Sequence, residues 1–101
     1  MTRRRAASRK AAHADEVRRF EDIPNIGPAM TRDFALLGIR SPAELAGHDP
    51  YALYAKLQRI TGARQDPCVC DTFIAAVRFM QGGPAVPWWH FTAERKRHFT
   101  G

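Results

Sequence analysis

The chain has 101 residues, 45% of them hydrophobic, and a formal net charge of +6, which suits one compact core and is too short for two. No run approaches the roughly 20 apolar residues that span a bilayer, and residues 1–13 lack the apolar run of a secretory signal. The two cysteines, Cys68 and Cys70, are too close in sequence to staple distant segments, so a disulfide framework is excluded and a soluble, cytoplasmic protein is expected.

Charge is uneven along the chain. Arg3, Arg4, Arg5, Arg9 and Lys10 stand near one end without an acid, and Arg95, Lys96 and Arg97 near the other, whereas residues 13–94 hold 8 bases against 10 acids, a net of −2. A basic excess points to nucleic acid or an anionic surface, and here it belongs to the ends. The expected organisation is a basic disordered tail over 1–13, a helical domain over 14–83, and a Pro/Trp-rich segment over 84–101 that folds back on the core with a basic end.

A first helix is expected from Asp15 through Phe20, stopping before Pro24 because the residue ahead of a proline is biased out of the helical region. Pro28 suits the first turn of a second helix carrying Met30, Phe34 and Leu37 at helical spacing, and Gly38-Ile39 reads as its left-handed stop. Ser41-Pro42-Ala43-Glu44 has the capping-box pattern and opens a short third helix with Leu45. Asp49-Pro50 opens a fourth, closing near Gly62, and Asp66-Pro67 a fifth, with Val69, Phe73, Ile74, Val77 and Met80 on its apolar face and Gly82-Gly83 beyond it. No segment alternates apolar and polar residues over a strand's length, so the predicted fold is all-α, one small domain of about five short helices.

Ile23-Pro24-Asn25-Ile26-Gly27-Pro28 interrupts this pattern with a rigid apolar turn. It resembles the helix-hairpin-helix module, whose loop reads hydrophobic-Pro-Gly-hydrophobic-Gly-Pro, with the motif spanning residues of about 15–37. The resemblance implies sequence-independent binding to a nucleic-acid backbone through loop and helix amides. Elementary electrostatics points the same way, because amides at a helix start, on the positive end of its dipole, attract an anion without a charged side chain. The candidate contacts are Asn25, Gly27, Ala29, Met30 and Arg32, with Arg3, Arg4, Arg5, Arg9, Lys10, Arg95, Lys96 and Arg97 supplying diffuse charge. The chain departs from the pattern at Asn25, which replaces the first loop glycine, and at Thr31, where the family often places alanine. Glu21 and Asp22 stand beside the loop; if they crowd its mouth, the turn is only a connection that buries Ile23 and Ile26.

The run from Ile23 through Asp66-Pro67-Cys68-Val69-Cys70-Asp71 to Pro87-Trp88-Trp89 is similar to a small bacterial family of stand-alone helix-hairpin-helix proteins, described as pathogenicity locus or mitomycin-resistance-like, over residues of about 15–97. That resemblance implies a helical fold and leaves the biochemical activity open.

Other motifs carry less. Arg59-Ile60-Thr61-Gly62-Ala63-Arg64 reads as a helix C-cap rather than a second hairpin. Cys68-Val69-Cys70 has neither zinc-site spacing nor a second pair, so no metal or cofactor is expected. Trp88-Trp89 either clasps the core or stacks on unpaired bases, leaving Arg95-Lys96-Arg97 for solvent or an acidic partner. No nucleophile constellation or phosphate-binding loop with its lysine is present, so no enzyme activity is expected. The function expected is weak, sequence-independent DNA binding in repair, damage resistance or competence. The alternative is a protein-interaction module in which the turn is purely structural.

Overall fold

The computed structural model describes residues 10–100. Among them are four α-helices, α1 (Pro28–Leu36), α2 (Pro50–Thr61), α3 (Pro67–Met80) and α4 (Thr92–Thr100), and no strand. Four 3-10 turns, at Ala14–Glu16, Phe20–Asp22, Pro42–Gly47 and Trp88–Phe91, complete the helical content. The fold is all-α, as the patterning predicts.

Proline opens each of α1, α2 and α3, where its missing N–H costs nothing. The Asp49 and Asp66 carboxylates cap α2 and α3, accepting from the Tyr51 and Cys68 amides at 2.9 Å each. Helix α1 ends in the Schellman arrangement: Gly38 is left-handed (φ +82), its amide donates to the Ala35 carbonyl, and the Ile39 amide donates to Phe34. Ile39 and Phe34 are both buried, which supplies the hydrophobic clasp.

Helix α3 is the axis of the core, with Cys70 to Val77 and Phe79 all buried. Against it pack α2, α4 and the 3-10 turns at 42–47 and 88–91. An aromatic series ties the segment ahead of the Ile23–Pro28 turn to this axis: Phe20 to Phe34 at 5.3 Å, then Phe34 to Phe73 at 5.5 Å between ring centroids. Ile23 and Ile26 are fully buried, so both flanks of the turn are anchored in the core.

Three expectations are corrected. The helix expected from Asp15 is absent; two 3-10 turns stand there, separated by an extended Val17. The cause is competition from side chains: Glu16 accepts from the Ala12 and His13 amides, and Asp22 from those of Arg18 and Arg19, so the backbone closes local turns instead of a helix. The element at Pro42–Gly47 is 3-10, and Glu44 reaches back to the Arg40 amide (2.9 Å) rather than to that of Ser41.

The third correction concerns residues after 91, where α4 forms without an apolar stripe. It is held by charge. Asp71 on α3, fully buried, accepts from Thr92 Oγ1 (2.7 Å) and from Arg95 Nε (2.8 Å). Glu94 takes a fork of bonds from Arg78 (2.7 and 3.2 Å) and one from the Tyr51 hydroxyl (2.9 Å). His98 stacks on Tyr51, the rings 3.6 Å apart at the centroids and inclined by 8°.

Candidate nucleic-acid interface

The Ile23–Ile26 segment is a β-turn closed by the Ile26 amide on the Ile23 carbonyl (3.1 Å). Pro24 takes its second position and Asn25, at φ +75, its third, which is the type II pattern. Asparagine reaches this left-handed region more readily than other residues with side chains. Its side chain faces a different way from the one expected: Asn25 Nδ2 donates to the Val86 carbonyl at 2.9 Å. The residue that replaces a loop glycine therefore joins the turn to the Pro/Trp segment instead of projecting toward a ligand.

Gly27 follows as the N-cap of α1, in extended backbone (φ −116, ψ −169) and with no side-chain cap. The first helical bond comes from the Thr31 amide to the Gly27 carbonyl, which also accepts from Thr31 Oγ1, both at 3.0 Å. Pro28 has no N–H, so the Ala29 and Met30 amides lie ahead of the helical ladder. Helices α2 and α3 cover the amide equivalent to that of Ala29 with a carboxylate; α1 does not. A Cβ built on Gly27 would meet no protein atom within 4 Å. Neither backbone conformation nor packing requires glycine here, and its bare Cα leaves open the space in front of these amides.

Lys10 adds a cation. Its Nζ donates to the Glu21 and Ile26 carbonyls, both at 2.6 Å, and the Ala11 amide donates to the Asp22 carbonyl at 2.8 Å. Residues 10 and 11, expected within a disordered tail, thus brace the turn. An ammonium has three donors, and two are taken. Sequence reasoning missed this role because the lysine is separated from the turn by more than ten residues and reaches it by a return of the chain that no local pattern encodes.

Asp22, one of the two acids beside the loop, is tied to the backbone ahead of it. Its carboxylate is turned back onto the Arg19 and Arg18 amides, which hold it below the ordinary carboxylate range, with the charges of Arg19 and Lys10 adding to the effect. Arg32 is exposed on α1 and its neighbour Asp33 half-buried. Burial raises Asp33 above its usual range, opposed by the Arg32 charge.

Of the candidate contacts, Asn25, Gly27, Ala29, Met30 and Arg32 fall together on the turn and the first turns of α1. Arg95 does not join them: expected in solvent or against an acidic partner, it is the partner of buried Asp71 in its own chain, its side chain 16% exposed. Lys96 and Arg97 are exposed on α4. Arg3, Arg4, Arg5 and Arg9 lie outside the described residues. Gly62 closes α2 in the left-handed region (φ +68), its amide on the Gln58 carbonyl, and Asp66 covers the next helix start, so residues 59–64 form a C-cap. Cys68 is half-buried and Cys70 buried; burial pushes the Cys70 thiol up to about 12.

These features define a small all-α domain whose first α-helix starts uncapped behind a turn with buried flanks. Residues 13–97 match the family Cdd1, described as pathogenicity locus, and the chain belongs to that family. It is 44% identical over 79 residues to a protein named mitomycin resistance protein McrB from Streptomyces lavendulae, covering 78% of this chain and 75% of that relative. No solved structure matches it. None of the helices among the described residues is long and apolar enough to cross a membrane.

Proposed function

We propose that this protein binds the sugar-phosphate backbone of DNA in the cytoplasm without reading sequence, in the manner of a helix-hairpin-helix module, and acts as a binding protein rather than an enzyme. The observation that carries this reading is Gly27, a glycine that its own fold does not need, standing in front of the uncapped amides of α1. A phosphate oxygen seated there would accept from the Ala29 and Met30 amides at the positive end of the helix dipole. The Lys10 ammonium, held on the Ile26 carbonyl of the turn, supplies the charge that the acidic body lacks. The name of the Streptomyces relative ties that protein to mitomycin resistance, and a role for this chain in damage resistance accords with DNA as its partner.

The test is binding of the full chain to a labelled random-sequence duplex over a salt series, beside Gly27→Asp. The variant's carboxylate would cap the same amides and repel the phosphate. The expected result is measurable affinity at low salt that falls steeply with salt and drops at least tenfold in the variant. No affinity at low salt would remove the proposal, and an undiminished Gly27→Asp would remove the turn from it.

A further inference from the structure

The Pro/Trp segment is fastened to the turn at one point and presents its largest aromatic surface to solvent a short distance away. Asn25 Nδ2 holds the Val86 carbonyl (2.9 Å), Pro87 follows, and the chain enters the 3-10 turn Trp88–Phe91. Phe91 is buried and Trp88 half-buried, so the turn is seated on the core. Trp89 is 62% exposed, and Trp88 stands perpendicular to it, 5.4 Å between ring centroids at 85°. Phe99, also exposed, meets three rings, Tyr51, Tyr54 and His98, whereas among the described residues Trp89 meets one, Trp88. Trp89 sits three residues beyond Val86, so its Cα is within about 11 Å of the point where Asn25 ties the segment. The Ala29 and Met30 amides stand four and five residues past Asn25, on the other side of that tie.

We infer that Trp89 is a stacking platform for an unpaired DNA base next to the phosphate held at the turn, so that the substrate class is DNA with unpaired bases: single strands, gaps and flaps. This rests on the backbone-binding reading and extends it. A duplex keeps its bases stacked inside and offers an indole nothing to cover, whereas an unpaired base brings a π-face to a ring that Trp88 already braces. Stacking is indifferent to base identity, which suits a site that reads no sequence.

The experiment compares full-length wild type, Trp89→Ala and Trp89→Phe on three labelled probes at low salt: a 20-nucleotide oligo-dT, a 20-base-pair duplex of random sequence and the same duplex with a central gap. Circular dichroism checks that the variants are folded. The expected result is tighter binding to single-stranded and gapped DNA, about five- to a hundredfold weaker in Trp89→Ala, largely restored in Trp89→Phe, with the duplex unaffected by either. Equal affinity for all three probes, unchanged in Trp89→Ala, would overturn the platform and leave the backbone reading intact. Absence of binding to any probe would end both. Single-strand binding that needs Trp89 but ignores Gly27→Asp would overturn the claim that the platform serves the phosphate held at the turn.

Discussion

At Asn25 two requirements meet in one side chain: a left-handed backbone (φ +75) and a hydrogen bond to Val86. Asn25→Ala keeps the strain and loses the bond. The left-handed region costs an ordinary residue about 1–2 kcal/mol, more than it costs asparagine, and a hydrogen bond is worth about 1 kcal/mol. Asn25→Gly loses the same bond but relieves the strain. The expected outcome in urea unfolding is a destabilisation of about 1–2 kcal/mol for Asn25→Ala and clearly less for Asn25→Gly. Equal losses would mean that the tie to Val86 alone matters. Two residues on, Gly27 has the opposite logic. Gly27→Asp places a capping carboxylate at an uncapped start and should raise stability by about 0.5–1 kcal/mol. A variant that folds better and binds DNA worse separates the site from the fold.

Among elements, α4 shows what a local pattern leaves out. The starts of α1, α2 and α3 were legible because proline, aspartate and glycine act within a few residues of where they stand. The turn and its buried isoleucines were legible for the same reason. Helix α4 was not, since Thr-Ala-Glu-Arg-Lys-Arg-His has no apolar period and its anchors, Asp71 and Arg78, lie on another helix. The same lack of a local signal hid Lys10, while Glu16 and Asp22 cap turns where a helix was expected.

The α4 anchor can be tested directly. Arg95→Met leaves the fully buried Asp71 carboxylate without its cation and should cost about 3 kcal/mol or more, a large part of the 5–15 kcal/mol typical of a domain. Adding Asp71→Asn should recover part of that loss, and a double-mutant cycle on unfolding free energies measures how much.

Glu94 gives the same contact a pH signature. The Arg78 hydrogen bonds hold its carboxyl below the ordinary range against the opposing effect of burial, and Tyr51 assists. A depressed carboxyl stabilises the fold above its unfolded value, about 4.3, and that contribution disappears as pH falls through the folded one. Between pH 5 and pH 3 the wild type should therefore lose more stability than Glu94→Gln; parallel urea midpoints would show curves that converge in acid.

For the molecule as a whole, the distribution of charge decides how a weak site becomes a usable one. The segment 13–94 is net negative by two, so in the proposed DNA-binding role long-range attraction comes from the ends, and the turn is a docking point that carries little charge beyond Lys10. Counterion release makes these contributions separable: log affinity falls with log salt at a slope of about 0.9 per phosphate neutralised on duplex DNA. A chain lacking residues 1–9 loses Arg3, Arg4, Arg5 and Arg9 and keeps Lys10. If all four arginines meet phosphates, the slope should fall by about three to four, while the residual binding stays sensitive to Gly27→Asp. Lys10→Gln in the full chain should lower the slope by about one only, and it also loosens the turn. A shortened chain with no residual affinity would place all binding in the basic end and reduce the turn to a connection. A shortened chain with an unchanged slope would instead leave the amides, Lys10 and the exposed cations of the described residues to hold the backbone by themselves.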